Sequence, residues 1–215
     1  MGAKTWMIVL ADANARDALA AKPSLDRAAT WKLATALFPG ERLEPIGDGD
    51  LSYTNPKNDE VHIGCFPGIS VVAAKEFCID YPSRLHPRFI AAGGSGTVTL
   101  HAMHSVVDWF AYAVWDGGKL VRSLSLSPDS GIMENTGRPL PFEEAYWSGE
   151  HPAVDDDEEK DAYPFAFHPL ELGEAALKDR FGYQLEGYID DTLLEPASIP
   201  LMRYKRFRPP WWKFW

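Results

Sequence analysis

From Thr97 to Gly131 the chain reads TVTLHAMHSVVDWFAYAVWDGGKLVRSLSLSPDSG, with β-branched and aromatic residues broken by two short polar turns. This pattern predicts a three-stranded antiparallel meander. The second turn, Asp116-Gly117-Gly118-Lys119, supplies the positive φ angles that a two-residue primed turn demands. Counting outward places Trp115 opposite Leu120, Val114 opposite Val121, Ala113 opposite Arg122 and Tyr112 opposite Ser123. Side chains alternate between faces, so Trp109, Ala111, Ala113, Trp115, Leu120, Arg122, Leu124 and Leu126 are expected on one core face. The first turn, around Ser105 and Asp108, contains two valines that resist positive φ. Pairing Ser105 with Asp108 would set Leu100 beside Ala113 and align His101, Tyr112 and Ser123 in a polar row. A bulge would dissolve that row.

The flanking pattern predicts cover for this sheet. Thr5–Leu10 is a continuous apolar run, as in a buried central strand, and Asp12-Ala13-Asn14 offers helix caps after it. Ser24 is expected to cap a helix along Leu25, Ala29, Leu33 and Leu37, stopped by Pro39-Gly40. Gly47-Asp48-Gly49-Asp50 reads as a turn, and Val61–Phe66 and Ile69–Ala74 as strands about Pro67-Gly68. Tyr81 to Gly94 reads as a short helix with a glycine-rich exit, and Ile132–Phe142 as extended chain. Pro169 opens a last helix that Gly182 closes. The expected class is α+β, an antiparallel-rich sheet with the three-stranded meander at its centre and helices packed on one face.

Charge divides the chain. The 215 residues carry a net charge of −10, yet the thirteen from Arg203 to Trp215 hold five basic residues and no acid. Residues 1–202 therefore stand at −15, which argues against a nucleic-acid partner. The expected organisation is a single domain, 1–202, and a basic, tryptophan-rich tail, 203–215. In that tail Arg203, Arg206, Arg208, Trp211, Trp212 and Trp215 are the binding candidates. Such a tail suits docking on its own acidic body, contact with a protein partner, or peripheral contact with an anionic membrane. Six acids between Asp155 and Asp161 read as a solvated loop rather than a cation site. No apolar run reaches transmembrane length and the opening run is too short for a signal peptide, so a cytoplasmic location is expected.

The candidates for chemistry are few. Arg122 lies among apolar residues of a strand and must find a partner. Either it forms the floor of an anion pocket or it pairs with an acid such as Glu134 or Glu143, the preferred reading. His101 and His104 make an HxxH whose odd spacing sends them to opposite strand faces, which suits a structural histidine better than a metal site. Asp12 ends the first strand, as a site carboxylate or, preferably, as a helix cap. Cys65 and Cys78 show neither disulfide nor metal spacing, and no GxSxG elbow is present. No metal or cofactor is expected.

The blocks MGAKTWM, GCFPG, LHAMHSVVDWF, WDGGKLVRSLSLSPDSGI, GRPLPFE and YPFAFHPLELG together resemble a family of uncharacterised bacterial proteins, from Met1 to about Gly187. The resemblance implies a compact cytoplasmic domain and carries no catalytic residue with it. Two functions are then expected: a non-enzymatic binding or regulatory module with a protein partner, or a small enzyme using His101, Arg122 and Asp12 around one pocket.

Overall fold

The computed structural model describes residues 2–153, 163–187 and 190–208. Its axis is the apolar run near the N-terminus, β1 (Lys4–Ala11), buried along nearly all its length. The other strands are β2 (Arg42–Asp50), β3 (Glu60–Phe66), β4 (Ile69–Ala74), β5 (Thr97–His104), β6 (Trp109–Asp116), β7 (Lys119–Ser127), β8 (Gly131–Thr136) and β9 (Pro200–Phe207). They form one nine-stranded sheet in the order β2-β9-β3-β4-β1-β5-β6-β7-β8. Every neighbouring pair is antiparallel. With five α-helices around it among the described residues, the architecture is α+β.

The helices are α1 (Ala15–Ala20), α2 (Arg27–Leu37), α3 (Pro87–Ala91), α4 (Pro141–Trp147) and α5 (Pro169–Phe181). They cover both faces, which corrects the expectation of one covered face. Met7, Val9, Met103, Phe110, Tyr112 and Leu124 pack beneath α1 and α5. Trp6, Ile8, Leu10, Leu100, Ala111 and Trp115 pack against α2 and α3 on the other side. A continuous apolar β1, rather than an alternating one, is what a strand buried on both faces requires.

The meander is present but displaced. Strands β5, β6 and β7 lie towards one flank, and β1 holds the centre. The first turn keeps the counted register, with Leu100 opposite Ala113 and His101 opposite Tyr112. Asp108 takes the left-handed conformation, at φ 45°, so the two valines are spared it. In the second turn Gly117 and Gly118 supply φ of 52° and 78°, and Trp115 pairs with Leu120. One residue later the register slips: Val114 pairs with Arg122, leaving Val121 as a bulge. Everything beyond turns over. Arg122, Leu124 and Leu126 join Val114, Tyr112 and Phe110 instead of Trp115 and Ala113, and Tyr112 faces Leu124. The His101–Tyr112–Ser123 row therefore does not form.

Local signals place most helix ends. Asn14, not Asp12, caps α1 by accepting from the Asp17 amide at 3.1 Å. Asp26 rather than Ser24 caps α2. Gly182, left-handed at φ 79°, closes α5. Three segments depart from the expected pattern. The GDGD stretch is the end of β2, an edge strand with a bulge between Pro45 and Gly47. The chain after Pro139 turns into α4. Arg203 to Phe207 belong to β9, inserted between β2 and β3, so the boundary at residues 202 and 203 falls inside a strand.

Candidate functional site

Turned over by the bulge, Arg122 is fully buried and reaches Glu143 of α4. Its Nε donates to Oε1 at 2.9 Å and its Nη2 to Oε2 at 2.7 Å, a two-pronged pair. Its Nη1 donates to Asn135 Oδ1 at 2.7 Å and to the Thr136 carbonyl at 3.0 Å. Glu143 also accepts from the Leu140 amide and from Trp147 Nε1, so this cluster fastens α4 to the sheet. Glu134, the other acid considered, accepts from Ser83 and Ser123. Arg122 has no open coordination for an external anion.

His101 is equally enclosed. Its Nδ1 lies 2.7 Å from Thr5 Oγ1 and its Nε2 lies 2.9 Å from the Gly173 carbonyl on α5. The carbonyl requires an N–H, which fixes the proton on Nε2 and leaves Nδ1 to accept from the threonine hydroxyl. Burial pushes the pKa down to about 4, against the pull of that carbonyl. The approach is close because residue 173 is glycine: a Cβ there would sit 3.1 Å from Met103 Sδ and 3.2 Å from Phe110 Cδ2. His104 lies on the opposite face, its ring stacked on Trp6 at 6.1 Å. Asp12 is exposed beyond the far end of β1. Asp12, His101 and Arg122 therefore do not meet in one pocket.

The arginines assigned to the tail are also drawn into the fold. Arg206 is buried, with Nε 2.9 Å from Glu41 Oε2, Nη1 2.8 Å from Glu76 Oε2, and its guanidinium over the Phe38 ring, 4.1 Å from the centroid. Burial opposes its charge, but the hydrogen bonds it donates to Glu76 and Glu41 hold its pKa above the ordinary value. Arg203 pairs with Glu60 at 3.3 Å, and half-exposed Arg208 meets Glu76 at 3.1 Å. Trp211, Trp212 and Trp215, like the acidic stretch from Asp155 to Asp161, lie outside the described residues.

The open part of the molecule is a groove along the outer side of α5 and across the start of β1. Two adjoining hollows, of about 730 and 630 Å³, share Gln184 and Glu186. Glu171, Glu174, Glu186, Asp190, Asp191 and Glu195 line them, against Lys4 and Lys178. Tyr146, stacked on His151 at 4.4 Å, forms part of the wall. Glu174 is the most perturbed member. It accepts from the amides of Leu185 at 2.8 Å and Glu186 at 3.2 Å, yet burial raises its pKa to about 7. Sequence reasoning missed this groove because its acids come from α5 and from segments around residues 186 and 190–195 with no shared motif. Glu171, in the first turn of α5, has by itself only the ordinary role of an acid facing a helix N-terminus.

Among the described residues no helix is long and apolar enough to cross a membrane. No curated protein and no solved structure matches the chain. A family model does match, over residues 5–204, beyond the Gly187 limit of the sequence resemblance and into β9. The chain belongs to the Family of unknown function (DUF6928).

Proposed function

We propose that this chain is a non-enzymatic binding module whose acidic groove takes a basic polypeptide segment. The observation that carries the reading is the groove's lining, six carboxylates against two lysines. A lysine- or arginine-rich segment would find carboxylates along its length and an aromatic wall at Tyr146 for its cations. The interior charged groups support a binding role over a reaction. Arg122 and Arg206 are satisfied by carboxylates, and His101 by a threonine and a carbonyl. A lysine- and arginine-rich segment of a second protein is the kind of segment this groove suits.

Fluorescence anisotropy with a dye-labelled hexalysine peptide tests the reading. Saturable binding is expected at low salt, weakening as salt screens the contacts. Reversing the exposed acids, Glu171→Lys with Asp191→Lys, is expected to weaken it at least about tenfold. Absence of binding at low salt, or binding indifferent to both reversals, overturns the proposal. A truncation meant to probe the tail must begin after Arg208, since β9 runs to Phe207.

A further inference from the structure

A smaller cleft of about 380 Å³ adjoins the groove through Ser52 and Tyr53 and lies over the sheet where β9 meets β3. His62 of β3 is at its base, 1% exposed. Its Nδ1 lies 3.1 Å from the Tyr53 carbonyl, an acceptor, so Nδ1 carries the proton. The neutral ring then leaves Nε2 with a bare lone pair, and that buried atom of a cleft-lining residue has no partner among the described residues. Glu60 Oε2, another acceptor, is 3.7 Å away. Opposite stands Arg203, whose buried Nε–H is likewise without a partner. Its stem passes over Gly49, where a Cβ would come within 2.9 Å of Arg203 Cδ.

Leaving a buried donor and a buried acceptor unmatched costs stability, and native interiors rarely do so. The two orphaned atoms differ in kind. His62 Nε2, with Glu60 beside it, calls for a donor. Arg203 Nε, with Lys57 at the rim, calls for an acceptor. Asp50 and Glu60 balance Lys57 and Arg203, so the cleft carries no net formal charge from these four. Neither a simple anion nor a simple cation is favoured there. Burial, the largest cause, lowers the His62 pKa together with the Arg203 charge, against the opposing pull of the Tyr53 carbonyl and Glu60, so the ring stays an acceptor near neutral pH.

We propose that this cleft binds a small zwitterion of the amino-acid class, its ammonium at His62 Nε2 and Glu60 and its carboxylate at Arg203 and Lys57. The Tyr53 ring, 5.7 Å from that of His62 and half-exposed, forms the wall against which a side chain would rest. The cleft's size falls in the range of small-molecule sites. The site shares Ser52 and Tyr53 with the peptide groove but uses no residue reversed in the test of that reading.

Isothermal titration and saturation-transfer NMR of the full chain with glycine, L-leucine and L-phenylalanine test it, with methylamine and acetate as half-ligands. At least one amino acid is expected to bind saturably, and both half-ligands at least about tenfold more weakly. His62→Phe is expected to abolish binding. Lys57→Glu, on an exposed residue whose change leaves the core intact, is expected to weaken it several-fold and keeps the test valid if His62→Phe does not fold. No binding by any of the three amino acids, equal binding of a half-ligand, or affinity unchanged in Lys57→Glu would overturn the proposal.

Discussion

Arg122 and Arg203 stand on the same face of one sheet, near opposite flanks, and they teach different lessons. Arg122 is fully buried, with its guanidinium matched by Glu143, Asn135 and backbone carbonyls. Arg203 holds a single 3.3 Å contact with Glu60, and its Nε is unmatched. The difference lies in what packs above each. Helix α4 descends on Arg122 with a carboxylate aimed at it, whereas Arg203 is bordered by a loop and an open cleft. A strand arginine alone does not announce a site; the state of its last N–H does. The closed arginine holds the fold together and the open one is available for a ligand.

The sharpest break in the comparison is Arg122→Ala, which strands Glu143 in the core. A loss of about 3–5 kcal/mol is expected in denaturant melts. Replacing both partners, Arg122→Met with Glu143→Leu, should recover about half of that loss, because no charge is left alone. Recovery stays incomplete because the Trp147 indole and Leu140 amide lose their acceptor. Arg203→Met is expected to cost about 1 kcal/mol or less, the level of a partly exposed pair. A loss as large as that of Arg122→Ala would erase the distinction between the two flanks.

A subtler effect concerns His101 of β5, bonded to the Gly173 carbonyl, and Glu174, the next residue of α5. The His101 pKa falls from 6.5 to about 4 on folding, so the unfolded chain binds more protons between those values. Stability from this group is therefore full above pH 6.5 and declines as pH drops towards 4. The Glu174 pKa rises from 4.5 to about 7, so the folded chain binds more protons in that window and its contribution is lost as pH rises. The two oppose each other where the windows overlap. Glu174→Gln should leave His101 unopposed, steepening the rise of Tm with pH between about 4.5 and 6.5. An unchanged slope in Tm against pH would refute the assignment.

Much of the meander flank was legible, since its information is local. Gly117-Gly118 defined a turn, Trp115 opposite Leu120 followed by counting, and an arginine among leucines had to be paired. The bulge at Val121 was not legible. It turns Arg122 towards Glu143, 21 residues downstream and on a helix that the Pro139-Leu140-Pro141 stretch concealed. At the other flank, β2 contains Pro45, Gly47 and Gly49, poor strand formers. Only β9, more than 150 residues away in sequence, makes that segment a strand, and no window on Arg42–Asp50 holds that fact. His62 was hidden differently: it sits in an apolar run, and only the Tyr53 carbonyl reveals which nitrogen is bare.

The insertion of β9 between β2 and β3 also sets an order of events during synthesis. Among the named strands β2 pairs with β9 alone, and β9 supplies one side of β3. A chain emerging from the ribosome can assemble β1, β3, β4 and the β5–β8 hairpins while β2 waits without a partner. During that interval the edge of β3 is bare, a template for pairing with another chain. The last of the named strands thus closes the sheet, and a chain cut short before Phe207 keeps an adhesive edge.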